Sequence, residues 1–345
     1  MERNFGRTPA GAPARLYVLD NGNLSVHVTD YGATLVSLLV PDASGKRRDV
    51  ALGFDEVAGY ADPASPYLGA SIGRVANRIA NGRFTVAGSD HQVATNEGQH
   101  HLHGGGAEAF DKVIWDLVEV SDTEVAFRHV SADGSEGYPG RLVATVRYRL
   151  VDDALHIEYG ATCDQATPVN LTNHVYLNLG GVEQPGDVLD HEIAIFADGY
   201  TPTDDSLIPT GEVVEVAGTP LDLRSPKVIG AVIGALDDAA AGGFDHNFVL
   251  RGQSGGEPRL AAKVQDQTAG QVLEVFSDQP GIQFYSGNGL PDIAGKYAVT
   301  YTKRSGLCLE PQLFPDAVNQ PAFLSPVLEP NERYTNHMVL RFSRQ

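Results

Sequence analysis

The sequence predicts an all-β fold, a large antiparallel β-sandwich with a few short helices. Gly occurs 38 times and Pro 20 times in 345 residues, a turn-rich composition that suits many strands joined by tight connections. Polar and apolar residues alternate in several short runs, the period of a strand buried on one face. One stretch alone, residues 227–241, has a convincing helical pattern. A chain of this length suggests about two domains by size, yet all-β units often run long. It holds no internal repeat, low-complexity segment or linker-like composition shift, so residues 1–345 read as a single domain.

The elements follow in order. Leu16 to Val40 reads as two or three strands, with Asn21-Gly22-Asn23 as a turn and Asp42 to Lys46 as another. Phe54 to Tyr60 reads as a short helical turn. Val113 to Val130 and Arg141 to Tyr159 read as long antiparallel strands around a loop, Ser131 to Gly140. Asn170 to Leu179 is strand-like, Val182 to Asp190 a loop, and Tyr200 to Pro226 a run of Pro-rich turns. Lys227 to Ala241, rich in Ala with Ile and Val on one face, is the predicted helix. Strands resume from Asn247 to the C-terminus, broken near Gly252 to Gly256 and Pro291 to Gly295.

The polar residues of these strands carry the functional signal. In Gly306-Leu-Cys-Leu-Glu-Pro-Gln312, Leu307 and Leu309 face the core while Cys308 and Glu310 face the other way. Pro311 lacks a backbone donor, which predicts that ladder pairing ends there and leaves Glu310 at a strand end. A carboxylate fixed on a rigid sheet suits a general base; a solvated edge residue is the plain alternative. In Asn170-Leu-Thr-Asn-His-Val-Tyr-Leu-Asn-Leu179, one face carries Asn170, Thr172, His174, Tyr176 and Asn178. A solvated face would carry Lys, Glu or Arg; amides, a phenol and an imidazole suit a hydroxylated, uncharged ligand. His100, His101 and His103 invite a metal reading, but H-x-H without a nearby Cys or carboxylate at ligand spacing is weak, and no metal is expected. The glycines after His103 predict a close backbone approach that aims it into a cleft. Asn77 and Arg78 offer donors to vicinal hydroxyls. Asp245 and Asn247 face away from inward Phe244, Phe248 and Leu250, and Gln283 lies among apolar neighbours. Trp115 reads as core.

Composition excludes several classes. Lys plus Arg number 25 against 44 Asp plus Glu, a net charge of −19. That disfavours nucleic acid, anionic membranes and heavily phosphorylated substrates. Cys163 and Cys308 form no C-x-x-C pair or zinc spacing; reduced thiols in the cytoplasm are the default, with one disulfide as the alternative. Residues 1–15 contain no apolar core of a secretory signal, and no apolar run reaches membrane-span length.

Together the stretches Gly73-Arg-Val-Ala-Asn-Arg-Ile79, His101-Leu-His-Gly-Gly105, Asn170-Leu-Thr-Asn-His174, Phe244-Asp-His-Asn-Phe248 and Leu307-Cys-Leu-Glu-Pro-Gln312 resemble the aldose 1-epimerase (galactose mutarotase) family. Tyr31-Gly-Ala-Thr-Leu35 and Tyr138-Pro-Gly140 are softer matches. Each motif is weak alone, but five in family order, within a resemblance running from about Phe5 to Phe342, are specific. The resemblance implies a mutarotase-like supersandwich with an open cleft, no metal and no organic cofactor. It implies Glu310 as catalytic base and His174 as acid, with Asn77, Arg78, His103, Asp245, Gln283 and Tyr176 holding sugar hydroxyls. Val175 and Leu177 stand where Ser and Phe are usual, which puts the pocket wall and sugar preference at issue.

The expected reaction is interconversion of the α and β anomers of a free aldose such as galactose or glucose, by a monomer or homodimer. Ordinary values of about 4.3 for Glu and 6.5 for His give a working acid/base pair near neutrality without extreme tuning. The rivals are a non-catalytic sugar-binding protein, a glycoside-processing enzyme using Glu310 with Asp245, and an epimerase of hexose 6-phosphates, which the acidic balance disfavours.

Overall fold

The computed structural model describes residues 1–42 and 44–344. Three antiparallel sheets dominate. The N-terminal sheet runs in chain order through Glu2–Arg7, Pro13–Asp20, Ser25–Thr29, Thr34–Pro41 and Arg47–Asp49. A nine-stranded sheet is ordered Asp116–Val120, Glu124–Ser131, Leu142–Val151, Ala154–Cys163, Tyr334–Arg344, Gln271–Ser277, Arg259–Asp266, Glu192–Ile195, Lys227–Val228. A six-stranded sheet is ordered Tyr176–Leu177, Leu307–Gln312, Gly281–Tyr285, Asp245–Leu250, Ala197–Tyr200, Val214–Glu215.

Strand alternation explains the packing. In Leu142–Val151, buried Leu142, Ala144, Val146, Tyr148 and Leu150 alternate with partly exposed Val143, Thr145, Arg147 and Arg149. Leu19 and Val26 from the first sheet, Leu340 and Leu273 from the second, and Phe284, Leu307 and Leu309 from the third join one apolar cluster. Each such side chain contributes about 1.5–3 kcal/mol by leaving water, so this shared core fixes the sheets against one another. Trp115 is buried as expected and donates its indole N–H to the Phe110 carbonyl at 3.0 Å.

Several predicted elements are shorter than read. The first long strand splits at residues 121–123 and the second at Asp152, whose φ of 50° makes the turn. The predicted helix 227–241 reduces to an α-turn, Ile229–Val232, and a 3-10 turn, Ile233–Leu236, after a short strand; its glycines and lack of a side-chain N-cap give helix little support. The helical turn near residue 57 is present as Val57–Ala61. The turn at residues 42–46 is closed by a hydrogen bond from Asp42 N–H to the Lys46 carbonyl, 2.8 Å, while Ala43 lies outside the described residues.

Candidate active site

The Leu307–Gln312 strand lies inside the six-stranded sheet and corrects the strand-end expectation. Pairing continues past Pro311, which sits opposite Ile282. The other neighbour, Tyr176–Leu177, pairs only at Leu307 and Cys308. The Pro311 carbonyl therefore meets side chains instead of a ladder, accepting from Thr172 Oγ1 at 2.8 Å and Asn336 Nδ2 at 2.9 Å. A proline fits where the strand is paired on one side only. Glu310 is thus held mid-strand, 2% exposed, directly opposite Gln283, which in turn faces Asn247.

The sequence-predicted residues converge. His174 Nε2 lies 3.8 Å from Glu310 Oε1. His103, His174 and Glu310 each present a ligand-capable atom within 4.8 Å of the others, a spacing that suits a proton relay and is also small enough for a divalent cation. Gln283 donates to Asp245 Oδ1 at 2.6 Å and accepts from Gln312 Nε2 at 3.4 Å. Tyr176 stacks on His174 with ring centroids 5.1 Å apart. Arg78 is buried and bound through two nitrogens to Glu97, at 2.6 and 2.7 Å.

Asn77 positions rather than simply lines. It adopts φ 60°, its side-chain oxygen accepts the Arg78 N–H, and its own N–H donates to His103 Nδ1 at 3.1 Å. A ring nitrogen that accepts carries no proton, so neutral His103 holds its hydrogen on Nε2. Gly104, at φ +91°, follows directly; a Cβ there would collide with the Gly73 carbonyl oxygen. The predicted close backbone approach is real, and it is what presses the His103 turn against Gly73.

The electrostatics depart from the expectation of ordinary values. Burial pushes Glu310 well above the usual carboxylate range, Asp245 adds to the rise, and the Arg78 cation opposes it. Asp245 is raised as well, mainly by burial, again against Arg78. Burial lowers His174 to about 4, partly offset by a backbone hydrogen bond. His103 falls well below its ordinary value through burial and the nearby His174 and Arg78. Desolvation dominates throughout because the site lies beneath the surface among polar but mostly neutral groups. Glu310 Oε2 has no hydrogen-bond partner among the described residues.

Other readings need correction. Asn170, Thr172 and Asn178 are buried, and their side chains bind the carbonyls of Leu313, Pro311, and Gly186 with Ser305. Of that polar row, His174 and Tyr176 alone reach the cluster around Glu310. Val175 and Leu177 are buried in the main apolar core; they alternate with His174 and Tyr176 and so turn away from the pocket wall. His100 and His101 are engaged elsewhere: His100 Nδ1 accepts the Asn81 N–H, and His101 contacts the Ala94 carbonyl and Tyr138 hydroxyl, each at 2.6 Å.

Two neighbours, Tyr67 and Glu97, carried no individual signal in sequence, and a third, Cys308, gave its face but no partner. Tyr67, from a loop, puts its ring 4.8 Å from His103 and 5.9 Å from His174. It also lines a largely apolar cleft of about 770 Å³, so it forms the shared wall between that cleft and the histidines. Glu97 anchors Arg78. Cys308 Sγ lies 3.5 Å from His174 Nδ1; strand alternation put it on Glu310's side but gave no partner. Cys163 and Cys308 are both free thiols.

Comparison with known proteins identifies the family. Residues 15–341 match the family described as aldose 1-epimerase. The chain is 46% identical over 341 residues to galactose mutarotase of Bos taurus, covering 98% of this chain and 97% of that one. It is 42% identical over 339 residues to aldose 1-epimerase of Escherichia coli (strain K12), covering 97% and 96%. A crystal structure of an aldose epimerase homologue from C. elegans superposes with a TM-score of 0.87 at 30% identity, covering 96% of this chain and 99% of that one. With a family match across nearly its whole length and relatives above 40% identity, the chain belongs to the aldose 1-epimerase family.

Proposed function

We propose that this enzyme is an aldose 1-epimerase that interconverts the α and β anomers of a free aldose, with Glu310 as base and His174 as acid. The observation that carries the reading is the 3.8 Å pairing of His174 Nε2 with a buried Glu310 carboxyl whose second oxygen is left unpartnered. Ring opening needs one proton shared by two groups. Glu310 takes the C1 hydroxyl proton while protonated His174 gives one to the ring oxygen, and the C1–O5 bond breaks. The aldehyde rotates about C1–C2, and the same groups run in reverse to close the other anomer.

The shifted acidities support this proton count. Between the His174 value near 4 and the raised Glu310 value, the pair holds one proton, resting on the carboxyl. Moving it to His174 creates opposite charges at this separation. At about 4 Å and an effective dielectric constant near 20 their attraction is about 4 kcal/mol, or roughly three pK units. Sugar hydroxyls that donate to the carboxylate add to the stabilisation of ionised Glu310, beyond the Arg78 attraction already contained in its raised value.

His103 Nε2–H is the donor we assign to a neighbouring sugar oxygen, and Asp245, braced by Gln283, the acceptor. Arg78, Asn77 and Tyr176 complete the ring of substrate contacts. The three sheets that share one core support treating residues 1–345 as one domain, and the two free thiols suit a reducing compartment such as the cytoplasm. Polarimetry on freshly dissolved α-galactose and α-glucose tests the activity. Saturable acceleration above the spontaneous rate is expected; binding without acceleration favours a sugar-binding protein instead.

A further inference from the structure

The outward face of the nine-stranded sheet holds a second cluster, made of residues other than those of the candidate active site. His156 and Glu158 lie on Ala154–Cys163, alternating with buried Leu155, Ile157 and Tyr159. His337 lies on Tyr334–Arg344, directly opposite Glu158. All three are partly exposed. His156 Nδ1 is 3.1 Å from His337 Nε2, and His337 Nε2 is 3.8 Å from Glu158 Oε1. One ligand atom from each residue lies within 4.8 Å of the others.

We propose that His156, Glu158 and His337 form a binding site for a divalent zinc-class cation, linking these two strands across the sheet face. Two imidazoles on one tetrahedral zinc, at metal–nitrogen distances near 2.0–2.1 Å, have their nitrogens about 3.3 Å apart. The observed 3.1 Å is close to that without rearrangement. Two nitrogens and one carboxylate oxygen favour zinc, nickel or copper over magnesium or calcium, and water completes the shell from two surface clefts that both border His337.

The competing arrangement is an imidazole–imidazole hydrogen bond within a surface charge lattice. Arg149 Nη2 already binds Glu158 Oε1 at 2.8 Å, and its cation opposes a metal at that oxygen. Its side chain is 40% exposed, so it can swing into solvent, and Glu158 retains its second oxygen. The two arrangements separate cleanly by measurement.

The test uses full-length protein stripped with EDTA and saturated with galactose, which occupies the acid/base cluster and blocks ion binding there. Zn²⁺ is titrated calorimetrically, and Co²⁺ is followed by its visible d–d bands. The expected result is one equivalent with a dissociation constant below about 100 μM, and a Zn²⁺-dependent rise in Tm. His156→Gln and His337→Gln, assayed separately, should each weaken binding about tenfold or more and reduce the Tm rise at a fixed Zn²⁺ concentration. Their mutarotation rates should stay within about twofold, which reports that each variant is folded, and stripping should not change the wild-type rate. Absence of binding up to about 1 mM, or full affinity retained in either single variant, overturns the site.

Discussion

Glu310 Oε1 faces His174 Nε2 at 3.8 Å, while Oε2 of the same carboxyl is buried without a partner among the described residues. A buried, unpartnered oxygen is costly unless function requires it. It sets the first prediction. Glu310→Gln keeps the shape and loses the base, so kcat should fall about 10²- to 10⁴-fold. Sugar affinity, which in the proposed function rests on His103, Arg78 and Asp245 as well, should stay within about tenfold. Stopped-flow polarimetry with calorimetric binding checks both, and a near-normal rate removes Glu310 from the mechanism.

The same substitution should stabilise the protein. Glu310 has a folded-state value above its unfolded one. Its contribution is fully present below the unfolded value and is lost as pH rises through the folded value, because ionisation then occurs in a buried site beside Asp245. Gln does not ionise. The Tm advantage of Glu310→Gln over wild type should therefore be smallest in acid and grow with pH, reaching about 1–3 °C in mild alkali. Thermal melts across pH test the trend, and an advantage that shrinks toward alkali contradicts it.

The pH–rate profile tests the proton count. Ordinary values would end the one-proton range near the histidine value of about 6.5. Here His174 sits at about 4 and Glu310 is raised, so the acid limb belongs to His174 and the alkaline limb to Glu310. After subtraction of the spontaneous rate, the acid limb of kcat/KM should lie near pH 4 and not near the ordinary histidine value of about 6.5. These limbs report the pair as a unit. An acid limb near 6.5 means the imidazole titrates as though solvated, and the buried arrangement fails.

Much of this site was legible because strand alternation and motif order act locally. Leu307 and Leu309 inward force Cys308 and Glu310 to the opposite face whatever the tertiary fold. The polar row on 170–178 misled for a physical reason. Asn170, Thr172 and Asn178 satisfy buried carbonyls, and a side chain serving backbone looks the same in sequence as one serving a ligand. The acidities were illegible because desolvation belongs to the assembled sheets, not to any one strand. Tyr67 and Glu97 come from loops, where no period ties a residue to its partner.

Glu97 supplies the last prediction. It is bidentate to Arg78, whose charge opposes the raised values of both Asp245 and Glu310. Glu97→Gln leaves Arg78 charged but loosens its fork. Because the Glu97 side chain is 38% exposed, solvent screening limits the pair to about 1 kcal/mol, or roughly fivefold. KM should rise by about that factor, with kcat changed less than about twofold, since the proton-transfer groups are untouched. Removing the Glu97 charge also lowers Asp245, whose rise it supports. A fall in kcat with unchanged KM would instead place Arg78 on the reacting oxygens, where its charge acts in the transition state alone.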